Sequence, residues 1–123
     1  MIGYVCIGSS DFDRSVEYYE KLLAPLGAKR LLEIKDFTLI GKSMEEPSIA
    51  VVRPFDGNPQ SVGNGMMVAL QVHSKEDVDS LYARALELGG SDEGPPGDRD
   101  GFFYAAYFRD PDGNKLNVFV LPS

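Results

Sequence analysis

The strongest constraint on how this chain can fold is an internal repeat. Shifting the first half by 63 residues places Tyr4, Val5 and Ile7 on Met67, Val68 and Leu70. A shift of 62 places Val16, Leu26 and Gly27 on Val78, Leu88 and Gly89, as a single deletion at the turn into the helix would do. Later, Ile49-x-Val51 answers Leu116-x-Val118 at an offset of 67, so Ala50 answers Asn117, and the loop around Pro95 supplies the extra residues. Self-similarity at a near-constant offset is the mark of a duplicated supersecondary unit.

The unit can be read from periodicity. Residues 2–8 alternate like a half-buried strand, with Val5 and Ile7 on one face and Tyr4 and Cys6 on the other. Ser9-Ser10-Asp11 offers N-cap side chains, and Phe12, Val16, Tyr19, Leu23 and Leu26 recur at helical steps up to Gly27. Arg30–Ile34, Phe37–Ile40 and Ile49–Val52 are three short strand candidates, which completes βαβββ. A connecting stretch rich in Pro, Gly, Asn and Asp follows. The order then restarts with a strand over Met66–Val72 and a helix opened by Ser74 and striped by Val78, Leu81, Tyr82, Ala85 and Leu88. Ser91–Asp100, broken by Pro95-Pro96-Gly97, is expected to hold at most a short strand. Phe103–Phe108 and Lys115–Val120 flank Asp110-Pro111-Asp112-Gly113-Asn114 as a hairpin. The expected architecture is α+β: two tandem βαβββ modules forming a curved mixed sheet around a cleft, with helices outside. Module one takes residues 1–53, a linker 54–65 and module two 66–123, in a single domain of ordinary size.

Charge and composition exclude several partners. A net charge of −7 with scattered Lys and Arg argues against nucleic acid. No apolar run approaches a membrane span, and no secretory signal is visible at the start. One cysteine, Cys6, rules out an intrachain disulfide and suits the cytoplasm. An acidic chain attracts cationic ligands at long range, although Lys115 opposes them locally.

With the duplication, the Ser-Asp helix start and the closing Phe108-Arg109-Asp110-Pro111-Asp112-Gly113-Asn114 in place, the whole chain resembles the glyoxalase, bleomycin-resistance and extradiol dioxygenase (vicinal oxygen chelate) superfamily. The resemblance implies a cleft and, in metal-dependent members, a divalent ion held by His and Glu from the first and last strands. The matching positions here are Tyr4, Ala50, Met67 and Asn117. Metal-binding members commonly read His-Val, His-x-Ala and Gly-Asn-x-x-Glu. This chain has Tyr4-Val5, Met67-Val68-Ala69 and Gly113-Asn114-Lys115-Leu116-Asn117. None of the four is a usual ligand, so the resemblance points to the fold and removes the metal chemistry. No cofactor is expected.

The remaining candidates follow from alternation. Tyr4, Cys6, Met67, Ala69, Gln71, Tyr107, Lys115, Asn117 and Phe119 are expected to line the cleft, an apolar and aromatic surface with a few polar heads. Cys6 has no evident His partner and is expected as a small buried residue. His73, the only histidine, falls at a strand-to-helix junction, where a surface or capping role is expected. Three readings stay open. They are a metal-free binder of a small organic molecule, a lyase or isomerase resembling lactoylglutathione lyase (or an extradiol-type dioxygenase), and a structural domain without ligand. An apolar first strand at an open edge also leads to the expectation of a homodimer.

Overall fold

The computed structural model of the protein describes residues 1–122. It divides into two compact units, Met1–Val62 and a second beginning at Gly63. The first runs β1 (Tyr4–Gly8), α1 (Phe12–Leu23), β2 (Lys29–Ile34), β3 (Phe37–Gly41) and β4 (Ser48–Val52). The second repeats that order as β5 (Val68–Gln71), α2 (Lys75–Glu87), β6 (Ser91–Arg99), β7 (Phe103–Arg109) and β8 (Lys115–Val120). Each unit builds its own four-stranded mixed sheet, ordered β1-β4-β3-β2 and β5-β8-β7-β6. The parallel pairs show the duplication residue by residue. Cys6 stands opposite Ala50, and Ala69 opposite Asn117. Those are the pairs that the offsets of 63 and 67 superimpose.

Local chemistry explains where the helices begin and stop. Asp11 caps α1 by accepting from the Arg14 amide at 3.2 Å, and Ser9 Oγ accepts from the Asp11 amide. Ser74 caps α2 by accepting from the Asp77 amide at 3.1 Å. Beyond Leu23 the chain tightens into a 3₁₀ turn over Ala24–Leu26, and Gly27 ends it with φ 87° and an N–H donated to the Ala24 carbonyl. The apolar stripes face their sheets. Val16, Tyr19 and Leu22 of α1 and Val78, Leu81 and Ala85 of α2 are buried, each large one contributing about 1.5–3 kcal/mol of burial.

Two polar contacts identify the face each helix covers. Arg30 of β2 pairs with Glu20 of α1 at 2.9 Å, so Arg30 and its cross-strand partner Ile40 lie on the helix side. In the second unit the Tyr104 hydroxyl donates to Asp79 Oδ1 of α2 at 2.7 Å, with Lys75 Nζ 5.4 Å from the ring centroid. That hydrogen bond, and then desolvation, holds the Tyr104 phenol above its ordinary pKa. Tyr104, Ala106 and Phe108 therefore face α2, while Phe103, Ala105, Tyr107 and Arg109 face away from it.

Three expectations change. Ser91–Arg99, expected as at most a short strand, is the nine-residue β6. Register shifts between Asp92 and Gly94 and between Gly94 and Gly97 leave Pro95 and Pro96 outside the ladder, where a missing N–H costs nothing. The strand expected from Met66 begins at Val68. A turn closed by the Met66 amide on the Gly63 carbonyl, with Gly65 at φ 93°, occupies the residues before it, so Met67 precedes β5. Cys6, expected buried, is exposed, because β1 is an edge strand and Cys6 lies on the face away from α1. Among the described residues, no helix is long and apolar enough to cross a membrane.

The turn between β7 and β8 is built on Asp110. Its Oδ1 accepts from the amides of Asp112 and Asn114, both at 2.9 Å, and its Oδ2 accepts from Asn114 Nδ2 at 3.0 Å. Asp110 is only 3% exposed, so these bonds form away from water. Replacing Asp110 by Ala is expected to destabilise the protein by about 2–4 kcal/mol. The measurement is the urea midpoint at unchanged slope, and a midpoint equal to wild type would remove Asp110 from this role.

Candidate functional site

The face of the second sheet away from α2 gathers most of the candidate residues. Ala69 and Gln71 of β5 stand opposite Asn117 and Phe119 of β8, and Asn117 and Phe119 stand opposite Tyr107 and Ala105 of β7. Lys115 precedes Asn117 by two residues and shares its face. Six of the nine residues expected in a binding surface are thus brought to one sheet face. Tyr4 and Cys6 belong to the first unit, on the face of its sheet that also carries Ala50 and Leu39. Tyr4 meets Phe37 edge-on there, ring centroids 5.6 Å apart. Met67 lies outside the strands and is exposed, and His73 is exposed between β5 and α2.

Two features of the second face were not expected. Phe103 packs edge-on against Phe119 at 5.7 Å and against Phe102 at 5.5 Å, giving an aromatic cluster at one end. At the other end, the Arg99 guanidinium lies 5.4 Å and the Lys115 ammonium 5.5 Å from the centroid of the Tyr107 ring. Arg99 lies in the stretch expected to hold at most a short strand. It reaches Tyr107 because Gly94 stands opposite Tyr107, and because Arg99 Nη2 donates to the Pro95 carbonyl at 2.7 Å across the bulge. A Cβ on Gly94 would stand 3.1 Å from the Tyr107 ring, and one on Gly97 only 2.9 Å from Arg99 Nη1. The usable signal was two glycines spaced within a pairing strand, which mark a bulge or a close approach.

The polar groups of this face are largely unspent. Neither Arg99 nor Lys115 forms an ion pair among the described residues. Arg109, on the same face, is spent on Glu93 at 2.7 Å and the Gly113 carbonyl at 2.9 Å. That hydrogen bond, before any longer-range charge, holds the Glu93 carboxyl below its ordinary pKa. Asn117 is 2% exposed, and its Nδ2 donates to the Ala106 carbonyl at 3.0 Å and toward the Val118 carbonyl at 3.4 Å. Its Oδ1, the Tyr107 hydroxyl and the Gln71 amide have no hydrogen bond among the described residues. The only sealed-off, unbonded side-chain atom among those residues is Ser15 Oγ, so Asn117 Oδ1 retains access to solvent.

The model of the Glyoxalase/Bleomycin resistance protein/Dioxygenase superfamily matches residues 1–118. The chain belongs to this superfamily. A glyoxalase/bleomycin resistance protein from Albidiferax ferrireducens T118 is 32% identical, with 99% of each chain covered and a TM-score of 0.90. More distant solved structures share the fold alone. A glyoxalase/bleomycin resistance protein/dioxygenase family enzyme from Burkholderia phytofirmans PsJN is 17% identical (98% of each chain, TM-score 0.79). A lactoylglutathione lyase from Agrobacterium tumefaciens is 18% identical (98% of this chain, 92% of that one, TM-score 0.69). No curated protein matches the chain in sequence.

Glyoxalase-superfamily membership raises the question of a metal. The four matching positions do not fit one. Ala50 has no donor atom, Met67 offers only a soft thioether, and the Asn117 amide can add a single neutral oxygen once its nitrogen is bonded to Ala106. Tyr4 is exposed, and a protonated phenol is a poor metal ligand. Among the described residues, no three His, Cys, Asp or Glu side chains cluster to hold an ion.

Gly97→Ala tests how Arg99 is held. Gly97 has no left-handed φ, so an alanine is tolerated by the backbone and only the contact with Arg99 is disturbed. The expected result is a folded protein whose Arg99 side-chain proton resonances lose their ring-current shift from Tyr107. Retention of that shift would show that the glycine is not what admits the guanidinium.

Proposed function

We propose that the protein binds a small organic molecule on the face of the β5–β8 sheet away from α2 and does so without a catalytic metal. The observation that carries this reading is the set of unspent groups on that face. Asn117 Oδ1, the Tyr107 hydroxyl and the Gln71 amide stand beside the Phe103–Phe119 pair, on a surface that α2 does not cover. Aromatic walls with a few convergent polar atoms are the composition of small-molecule sites. The lyase and extradiol dioxygenase readings need an ion that polarises an oxygen of the substrate, and the donor set offers no adequate ligands for one.

Two measurements test this reading. Protein incubated with Ni, Zn, Fe and Mn and then desalted is expected to carry no stoichiometric metal by elemental analysis. Amide spectra recorded during titration with planar aromatic compounds are expected to shift at Gln71, Tyr107, Asn117 and Phe119, equally with and without EDTA. One tightly held ion per chain, or binding abolished by EDTA, would overturn the metal-free reading.

We also propose a homodimer in a reducing, cytoplasmic setting. In support, β1 is an edge strand with Tyr4 52% exposed and Ile2, just before it, 53% exposed, an apolar edge of the kind proteins cover. The exposed thiol of Cys6 suits a reducing compartment. Sedimentation equilibrium at micromolar concentration is expected to give twice the chain mass, and a value of 13.5 kDa would sink the dimer.

A further inference from the structure

The positive end of this face specifies the ligand further. Arg99 and Lys115 are both half-buried and both lie close to one ring, Tyr107. Cations gathered about one half-buried ring call for a compensating anion. Proteins ordinarily relieve this with a carboxylate. The chain has 19 acidic residues, yet neither cation forms an ion pair among the described residues. Glu93, whose carboxyl feels the charge of Lys115, is taken by Arg109. The cation–π contacts with Tyr107 steer both heads over the face without neutralising them.

The register orders the remaining groups. Lys115, Asn117 and Phe119 follow one another on the same side of β8, roughly 7 Å apart at each step. Both cationic heads gather about the Tyr107 ring, the Arg99 side chain reaching back from a backbone position opposite Phe103, and the Phe102–Phe103–Phe119 cluster lies further along the sheet. Directly opposite Tyr107, Asn117 presents an acceptor oxygen from a side chain 2% exposed, its nitrogen already committed to Ala106. An acceptor so placed wants a hydroxyl or amine.

Resting on the reading above that this face binds an organic molecule, we infer that the ligand is a planar aromatic carboxylate bearing a hydrogen-bond donor. Its anionic group lies at Arg99 and Lys115, its ring against Phe119 and Phe103, and its hydroxyl or amine on Asn117 Oδ1. The selectivity is opposite to that suggested by the net charge of −7, because contact charges outweigh distant ones once screening by salt is counted.

Three matched probes test this by titration followed by fluorescence and amide spectra: 6-hydroxy-2-naphthoate, its neutral 6-hydroxy-2-naphthamide, and the cationic 6-hydroxy-2-naphthylmethylammonium. The expected order is carboxylate, then amide, then cation, with the carboxylate about tenfold or more tighter than the amide, the worth of a charge-assisted hydrogen bond. In the variant R99A/K115A, confirmed folded by its melting temperature, the carboxylate is expected to fall to the level of the amide while the amide is unchanged. Equal binding of carboxylate and amide at the same residues, indifferent to R99A/K115A, would overturn the carboxylate and leave the binding face standing. Tightest binding by the cation would overturn the assigned charge. Absence of binding by all three would overturn the binding face itself.

Discussion

A four-stranded sheet has two faces, and a βαβββ module supplies one helix to cover them. That shortage governs the rest of the structure. In each unit the helix covers one face of the sheet, and the other face is left without a helix of its own unit. The duplicated modules keep the same strand order and the same parallel register. Their faces away from the helices have diverged. The first carries Cys6, Leu39, Ala50 and the Tyr4–Phe37 pair, while the second carries three cations (Arg99, Arg109 and Lys115), two amides and a tyrosine. The contrast between Ala50 and Asn117, which occupy the same position in the repeat, condenses this. A methyl needs only contact. An amide needs partners, and Asn117 obtains them from the Ala106 and Val118 carbonyls.

The second sheet accepts local costs to arrange its face away from α2. A glycine within a strand is destabilising by roughly 0.5–1 kcal/mol relative to alanine. Gly94 and Gly97 both lie in β6, and Pro95 and Pro96 between them contribute no backbone donor. What the strand gains in exchange is the Arg99–Tyr107 contact, about 0.5–2 kcal/mol between exposed and desolvated limits. The two terms do not favour the bulge on stability grounds alone. A regular strand with side chains at 94 and 97 would pair better and exclude the guanidinium. The irregularity is therefore better explained by where it puts a charge than by what it adds to the fold.

Much of the architecture was legible in the sequence because it rests on short-range rules. Helix stripes, the caps at Asp11 and Ser74, the Gly27 stop and the Asp110 turn each express local chemistry, and the repeat joins them into a topology. The face shared by Ala69, Gln71, Tyr107, Lys115, Asn117 and Phe119 was legible for the same reason, since alternation along paired strands is local too. Arg99 was not. Its strand violates propensity at Gly94, Pro95, Pro96 and Gly97, and only pairing with β7 across the following turn makes it a strand. Met67 failed on a boundary, because the Gly63–Met66 turn occupies residues that alternation alone assigns to a strand. Cys6 failed because apolar character predicts burial on average, whereas its face is decided by which side α1 covers.

Net charge and local charge act on a ligand at different distances. Beyond the Debye length, roughly 8 Å in physiological salt, an approaching anion meets little of the chain's excess of seven negative charges. Inside that distance Arg99 and Lys115 are nearer than the scattered acids and sit in a partly dry surface, where the same charge counts for more. The screened acidic exterior then has little effect on the approaching ligand, and the cationic patch sets the selection at contact. A binding face of this kind selects by contact against the bias of its own protein's field, which requires its cations to be fixed in position. The Tyr107 ring and the Pro95 carbonyl fix Arg99, and Tyr107 orients Lys115.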